Sequence, residues 1–83
     1  MPYIKLVDRV VYEIAVSSLP LTMTAGELNY FITRIILRFL GPEPHYENLN
    51  AAMGVLEAVK HEMYRRLAAP YEDKKREEHG DVY

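Results

Sequence analysis

Apolar residues recur at helical spacing in the middle of the chain. They lie three or four positions apart through residues 25–40 and comprise Leu28, Phe31, Ile32, Ile35, Ile36 and Phe39. Thr24 suits an N-cap, and Glu27 follows three residues later, which is the capping-box pattern. Gly41-Pro42 is typical of a helix end. The pattern therefore predicts a helix from about residue 25 to residue 40.

This central helix is apolar on more than one side. On a helical wheel, the clearly polar positions Glu27, Arg34 and Arg38 share one narrow stripe. Tyr30 and Leu37 make much of the opposite side apolar as well. A helix of this kind must be covered on most sides, so we expect it to be central to the fold or to lie at an interface.

A second long helix is predicted from after Asn48 to about Ala69. Its apolar stripe comprises Leu49, Ala52, Met53, Leu56, Val59, Met63 and Leu67. A separate strip of small residues comprises Ala51, Gly54 and Ala58. Glycine in a helix interior costs ~1 kcal/mol relative to alanine. Gly54 therefore suggests tight packing, the commoner cause, or the close approach of a ligand.

Two further segments complete the predicted fold. Residues 6–18 fit a helix, although the β-branched run within residues 10–16 also fits a strand. We favour the helix because the chain offers no second strand to pair with. Pro70 opens a short terminal helix that Gly80 ends. The prediction is an all-α fold: a small bundle of three main helices plus a short C-terminal helix or tail, in one domain over residues 1–83.

Composition excludes several classes of protein. The net charge of −2 argues against binding nucleic acid by charge alone, and the acidic excess lies in the charged segment 70–83. The absence of cysteine excludes disulfides and thiolate metal sites, and it favours the cytoplasm. No stretch has the length and apolarity of a membrane span, and the amino terminus lacks a signal-peptide layout.

Several polar residues of the predicted helices are candidates for binding. Asn29 and Thr33 are four residues apart in the apolar sector of the central helix, so they are either bonded within the fold or directed at a ligand. The usual explanation is a hydrogen bond to a loop or a neighbouring helix. Glu57 and Lys60, with His61 and Tyr64, form a polar cluster on the second long helix, where Lys60 is most simply paired with Glu57.

Arg65 and Arg66, with Arg34 and Arg38, could form a basic patch for phosphate or an acidic partner. The simpler interpretation is that Arg65 and Arg66 offset the dipole at a helix end and pair with acids of the tail. Tyr71 and Asp73 complete the candidate binding residues. Tyr71 is an aromatic residue in the charged segment that could pack back on the helices. The alternative is that the tail is a recognition segment for a partner.

Metal and catalytic signatures are not found. His61-Glu62 begins like a zinc-protease motif, but the position of the second histidine is Arg65. The chain also lacks a phosphate-binding loop, a dinucleotide fingerprint and a nucleophile elbow. We therefore predict no catalytic residue, no metal site and no cofactor.

A series of short motifs extends along nearly the whole chain. They are Met1-Pro2-Tyr3-Ile4-Lys5 with Asp8-Arg9, Gly26-Glu27-Leu28-Asn29-Tyr30, Gly54-Val55-Leu56-Glu57 leading to Tyr64-Arg65-Arg66, Pro70-Tyr71-Glu72-Asp73 and Gly80-Asp81-Val82-Tyr83. In these motifs the sequence resembles a family of small uncharacterised prokaryotic and phage proteins. The resemblance implies no known activity.

Two functions remain open from the sequence. The first is a non-enzymatic interaction or regulatory module, a homodimer whose interface includes the central helix or the small-residue strip, with a possible further protein partner. The second is a small helical protein that binds or hydrolyses nucleotides with a metal ion, its carboxylates gathered in a dimer cleft. A DNA-binding regulator ranks third, because no basic recognition helix is present.

Overall fold

Helices make up most of the chain. The computed structural model describes residues 2–83, and no strand occurs among them. The elements are α1 (Leu6–Ser17), α2 (Ala25–Leu40), α3 (Tyr46–Met63), a π-helical turn (Tyr64–Ala68) and α4 (Ala69–His79). The all-α fold predicted from the sequence is confirmed.

The chain divides after Glu43 into two units. The first unit contains α1 and α2. The second unit, Pro44–Tyr83, contains α3, the π-helical turn and α4. That the whole chain folds as a single domain stays a prediction.

The first segment is a helix, and the strand alternative is wrong. Near its start, Arg9 Nε donates a hydrogen bond of 2.8 Å to the carbonyl oxygen of Ile4. At its end, the hydroxyl of Ser17 donates to the carbonyl oxygen of Glu13 at 2.8 Å. Such bonds from side chain to backbone supply partners for polar groups at helix ends.

Helix α2 begins and ends as its sequence predicts. The backbone N–H of Glu27 donates to Thr24 Oγ1 at 3.1 Å, and the N–H of Thr24 donates to Glu27 Oε1 at 2.9 Å. The backbone N–H and, second, the side chain of Thr24 hold the pKa of Glu27 below its ordinary value. At the other end, Gly41 has a φ of 75° and donates its N–H to the carbonyl of Leu37 at 3.0 Å.

Helix α3 begins at Tyr46, so the predicted start after Asn48 is wrong. His45 is the N-cap, in extended backbone with φ −95° and ψ 158°. Its carbonyl already accepts a helical hydrogen bond of 3.0 Å from the N–H of Leu49. Glu47 lies in the first turn, where a negative charge complements the helix dipole. Asn48 therefore lies inside the helix rather than at its cap.

Pro70 lies in the first turn of a short terminal helix, as predicted, but the helical backbone does not break before it. Proline lacks an N–H, and in an α-helix its ring collides with the carbonyl four residues earlier. Here the preceding turn widens into a π-helix, in which the N–H of Ala69 donates to the carbonyl of Tyr64, five residues earlier. Helical backbone then continues into α4, which Gly80 ends at φ 85°, as predicted.

Neither unit contains two helices packed side by side. No Cα atom of α1 lies within 8 Å of one in α2, and the same holds for α3 and α4. Among residues 2–83, Ala52 is the one apolar side chain that is buried, with 4% of its surface exposed. Helices in stable domains bury their apolar faces against other elements. Each unit must therefore find that cover outside itself.

We expect Thr24→Ala to lower the free energy of unfolding by about 1 kcal/mol, the usual effect of losing an N-cap side chain. Urea unfolding followed by circular dichroism, at one fixed protein concentration, measures the change. Thr22→Ala is the matched control, because Thr22 lies before the helix and outside the capping box. Equal effects of the two substitutions would contradict a stabilising role for the cap.

Candidate interaction surface

The most continuous apolar surface of the first unit lies along α2. Leu28, Ile32, Ile35 and Phe39 are spaced four, three and four residues apart. By helical geometry they fall within about 60° of the circumference. We call these four residues the α2 face. Their exposed fractions lie between 40% and 55%, so the face that should be core is open in the single chain.

The opposite side of α2 is open as well. Tyr30 is 67% exposed and Leu37 is 53% exposed. Phe31, Ile36 and Leu40 are half-buried. The helix therefore presents apolar surface in two directions. The α2 face has four aligned apolar side chains, whereas the opposite side has two.

Helix α1 adds a second open apolar surface to the same unit. The exposed fractions of its larger aliphatic side chains lie between 56% and 75%, and these are Leu6, Val7, Val10, Val11, Ile14 and Val16. Since α1 and α2 do not pack together, neither helix covers the other. An exposed apolar surface of this extent usually marks a place of association.

Asn29 and Thr33 bond to each other. The hydroxyl of Thr33 donates to Asn29 Oδ1 at 3.2 Å, within one helix. The expected bond to a loop or a neighbouring helix is therefore wrong, and both side chains are exposed rather than buried. The reason is that the apolar sector in which they lie is itself uncovered. The pair is a local contact on the flank of the α2 face.

Glu57 joins two basic neighbours on α3. Its carboxylate lies 3.9 Å from Lys60 Nζ and 3.4 Å from His61 Nε2. The pairing of Lys60 with Glu57 agrees with the simpler interpretation in the sequence analysis. All three side chains are largely exposed, so these pairs contribute little to stability.

Glu62 accepts hydrogen bonds from two arginines that follow it in the chain. It was not among the site residues predicted from the sequence. Its Oε2 accepts a 2.8 Å bond from Arg66 Nε, and Arg65 Nη2 donates to the same oxygen at 3.2 Å. Only 27% of the Glu62 side chain is exposed. The bond from Arg66 is the main reason that the pKa of Glu62 lies below its ordinary value. The spacing of three and four residues was the available signal.

The two arginines therefore serve a different purpose from the one expected. They bind Glu62, which lies before them in the helix, and the helix does not end beside them. Glu62 thus neutralises part of the predicted basic patch. Arg34 and Arg38 lie in the first unit, on α2.

Tyr71 and Asp73 also pair with neighbours one turn away. Lys75 Nζ lies 5.6 Å from the centre of the Tyr71 ring, and Arg76 Nη2 lies 3.7 Å from Asp73 Oδ1. Part of α4 and the residues after it line an open groove of about 610 Å³, whose rim includes Tyr64 and Asp73. Acidic and basic side chains both line the groove.

The tail does not pack back on the helices, so that expectation is wrong. Val82 is 93% exposed and Tyr83 is 112% exposed. The one hydrogen bond recorded in this segment is local, from the N–H of Tyr83 to Asp81 Oδ1 at 2.9 Å. Gly80 ends α4 at a positive φ, and the residues after it stay exposed along the open groove that they line with α4.

Gly54 is not in close contact with anything in the single chain. A Cβ atom added at this position would meet nothing within 4 Å. The tight packing that a mid-helix glycine suggested is therefore wrong for the chain alone.

The described residues contain neither a cluster of metal ligands nor a membrane-spanning helix. In the part of the chain that the structure describes, no three histidine or acidic side chains are gathered in a way that could hold a metal ion. None of the described helices has the length and apolarity needed to cross a membrane.

Fold and surface together define a small all-α protein with open apolar helix faces. The chain belongs to the family described as Domain of unknown function (DUF6899), whose family model matches residues 1–82. No curated protein matches the chain, and no solved structure does. Membership identifies the family and assigns no activity.

We expect the pKa of Glu62 to rise towards its ordinary value in Arg66→Ala, and to rise less in Arg65→Ala. The reason is the shorter bond from Arg66, which stabilises the ionised carboxylate. Because the pKa is lowered, these pairs persist above it and are lost as the pH falls through it. Carboxyl-carbon NMR titration measures the three values. A larger rise in Arg65→Ala would contradict the assignment.

We expect Gly54→Ala to raise the free energy of unfolding by about 1 kcal/mol, because alanine favours the helix and has open space here. Gly41→Ala is the matched control and should be destabilising, since Gly41 has a positive φ. Chemical unfolding measures both, and light scattering checks the mass. A loss of self-association in Gly54→Ala alone would place the small-residue strip in an interface.

Proposed function

We propose that this protein is a non-enzymatic interaction module that self-associates as a homodimer through apolar helix faces. One observation carries the proposal. Helices α1 and α2 expose most of their aliphatic side chains and do not pack on each other. A twofold dimer is the commonest way in which a protein buries such a surface.

The charged groups also favour a non-enzymatic role. A metal-dependent nucleotide hydrolase needs carboxylates that are free to hold Mg²⁺. Glu57, Glu62 and Asp73 each pair with a base on their own helical segment.

The absence of cysteine supports a cytoplasmic location. The exposed residues 81–83 are the segment that we propose for contact with a different protein.

Light scattering at micromolar concentration tests self-association. We expect a mass about twice the 9.7 kDa of one chain. A mass of 9.7 kDa at every concentration tested would contradict the proposal. A thermal-shift series with Mg²⁺ and nucleotides tests the non-enzymatic part, for which we expect no stabilisation. A ligand at a hundred times its Kd would add ~2.7 kcal/mol and be seen readily.

A further inference from the structure

We propose that the α2 face is where two copies of this chain meet, with their α2 helices antiparallel about a twofold axis. The inference rests on the proposed self-association and adds the surface and the orientation. The face lies wholly in the first unit, where α1 does not pack on it, and a second copy is the occupant that we assign to it.

The spacing of the face suits the antiparallel orientation. The intervals of four, three and four residues read the same in both directions. In an antiparallel pair, Leu28 therefore lies opposite Phe39 of the second copy, and Ile32 lies opposite Ile35. These intervals also keep all four side chains in one seam, as in coiled coils.

Charge complementarity points the same way. On the helical wheel Glu27 and Arg38 lie on the same side of α2, about 20° apart, near its two ends. In an antiparallel pair the twofold axis is perpendicular to the helices. The side of α2 that carries Glu27 and Arg38 then faces the same direction in both copies. Glu27 of one copy then lies beside Arg38 of the other, at both ends of the pair. In a parallel pair the twofold axis runs along the helices, so this side of the two copies lies on opposite flanks of the seam and the Glu27–Arg38 pairing is lost.

The first unit offers a second copy more apolar surface than the α2 face. The open aliphatic side chains of α1 belong to the same unit.

Paired glutamate substitutions on two sides of α2 test the surface. Ile35→Glu places a charge in the α2 face, whereas Leu37→Glu makes an apolar-to-acidic change about 160° away. Light scattering of the full chain should show the mass halved in Ile35→Glu and unchanged in Leu37→Glu. Circular dichroism confirms that each variant remains helical.

Cysteine cross-linking tests the orientation and does not depend on a disruptive charge. The chain contains no cysteine, so engineered thiols react without background. In Leu28→Cys with Phe39→Cys, mild oxidation should produce a covalent dimer that joins position 28 to position 39. Either single variant should stay uncross-linked, because equivalent positions lie about 16 Å apart along an antiparallel pair. A disulfide needs Cα atoms about 4.4–6.8 Å apart.

The outcomes separate this inference from the proposed function. A wild-type mass of 9.7 kDa by light scattering would contradict both the proposed function and this inference. A dimeric wild type that Leu37→Glu dissociates and Ile35→Glu leaves intact would keep self-association and overturn the α2 face as its site. Cross-links between two copies of position 28 would show a parallel pair and overturn the orientation. A dimer dissociated by Ile35→Glu, with the 28-to-39 cross-link, supports the inference in full.

Discussion

Helix α2 carries apolar side chains around most of its circumference, and the need to cover them constrains everything else in this molecule. Within its own unit nothing packs against it, since α1 stays apart and is itself uncovered. Burial of apolar surface is the dominant favourable term in folding, at roughly 25 cal/mol per Å². A small domain with so little of it buried has no margin of stability as a lone chain. In the homodimer that we propose, association and folding are therefore coupled.

Local rules predicted much of the fold, because the signals that end these helices act over a few residues. The bounds of α2 follow from Thr24 and Glu27 at one end and Gly41 at the other. The start of α3 was missed because Asn48 resembles a cap, whereas His45, already extended after Pro44, acts as the N-cap. The π-helical turn was missed because sequence patterns indicate that proline disturbs a helix and not how the backbone adapts.

The candidate site was less predictable, because burial depends on packing between elements. Asn29 and Thr33 were placed in a covered sector, and the structure leaves that sector open. Ion pairs depend only on spacing along one helix, so the pair of Glu57 and Lys60 was foreseen. Glu62 was missed because His61-Glu62 resembles the start of a metal motif, whereas its partners are the arginines three and four residues later. The bond from Arg66 lowers the pKa of Glu62.

The π-helical turn before Pro70 acts as an insertion of one residue into an otherwise regular helix. Each residue advances an α-helix by about 100°, so the extra residue rotates the side chains of α4 relative to those of α3 by about that amount. Two positions that look equivalent by counting across this turn therefore face different directions. An alignment with a chain whose helix lacks this turn must consequently allow a gap of one residue between Tyr64 and Ala68. Without that gap, residues on different sides of the helix would be compared as though they matched.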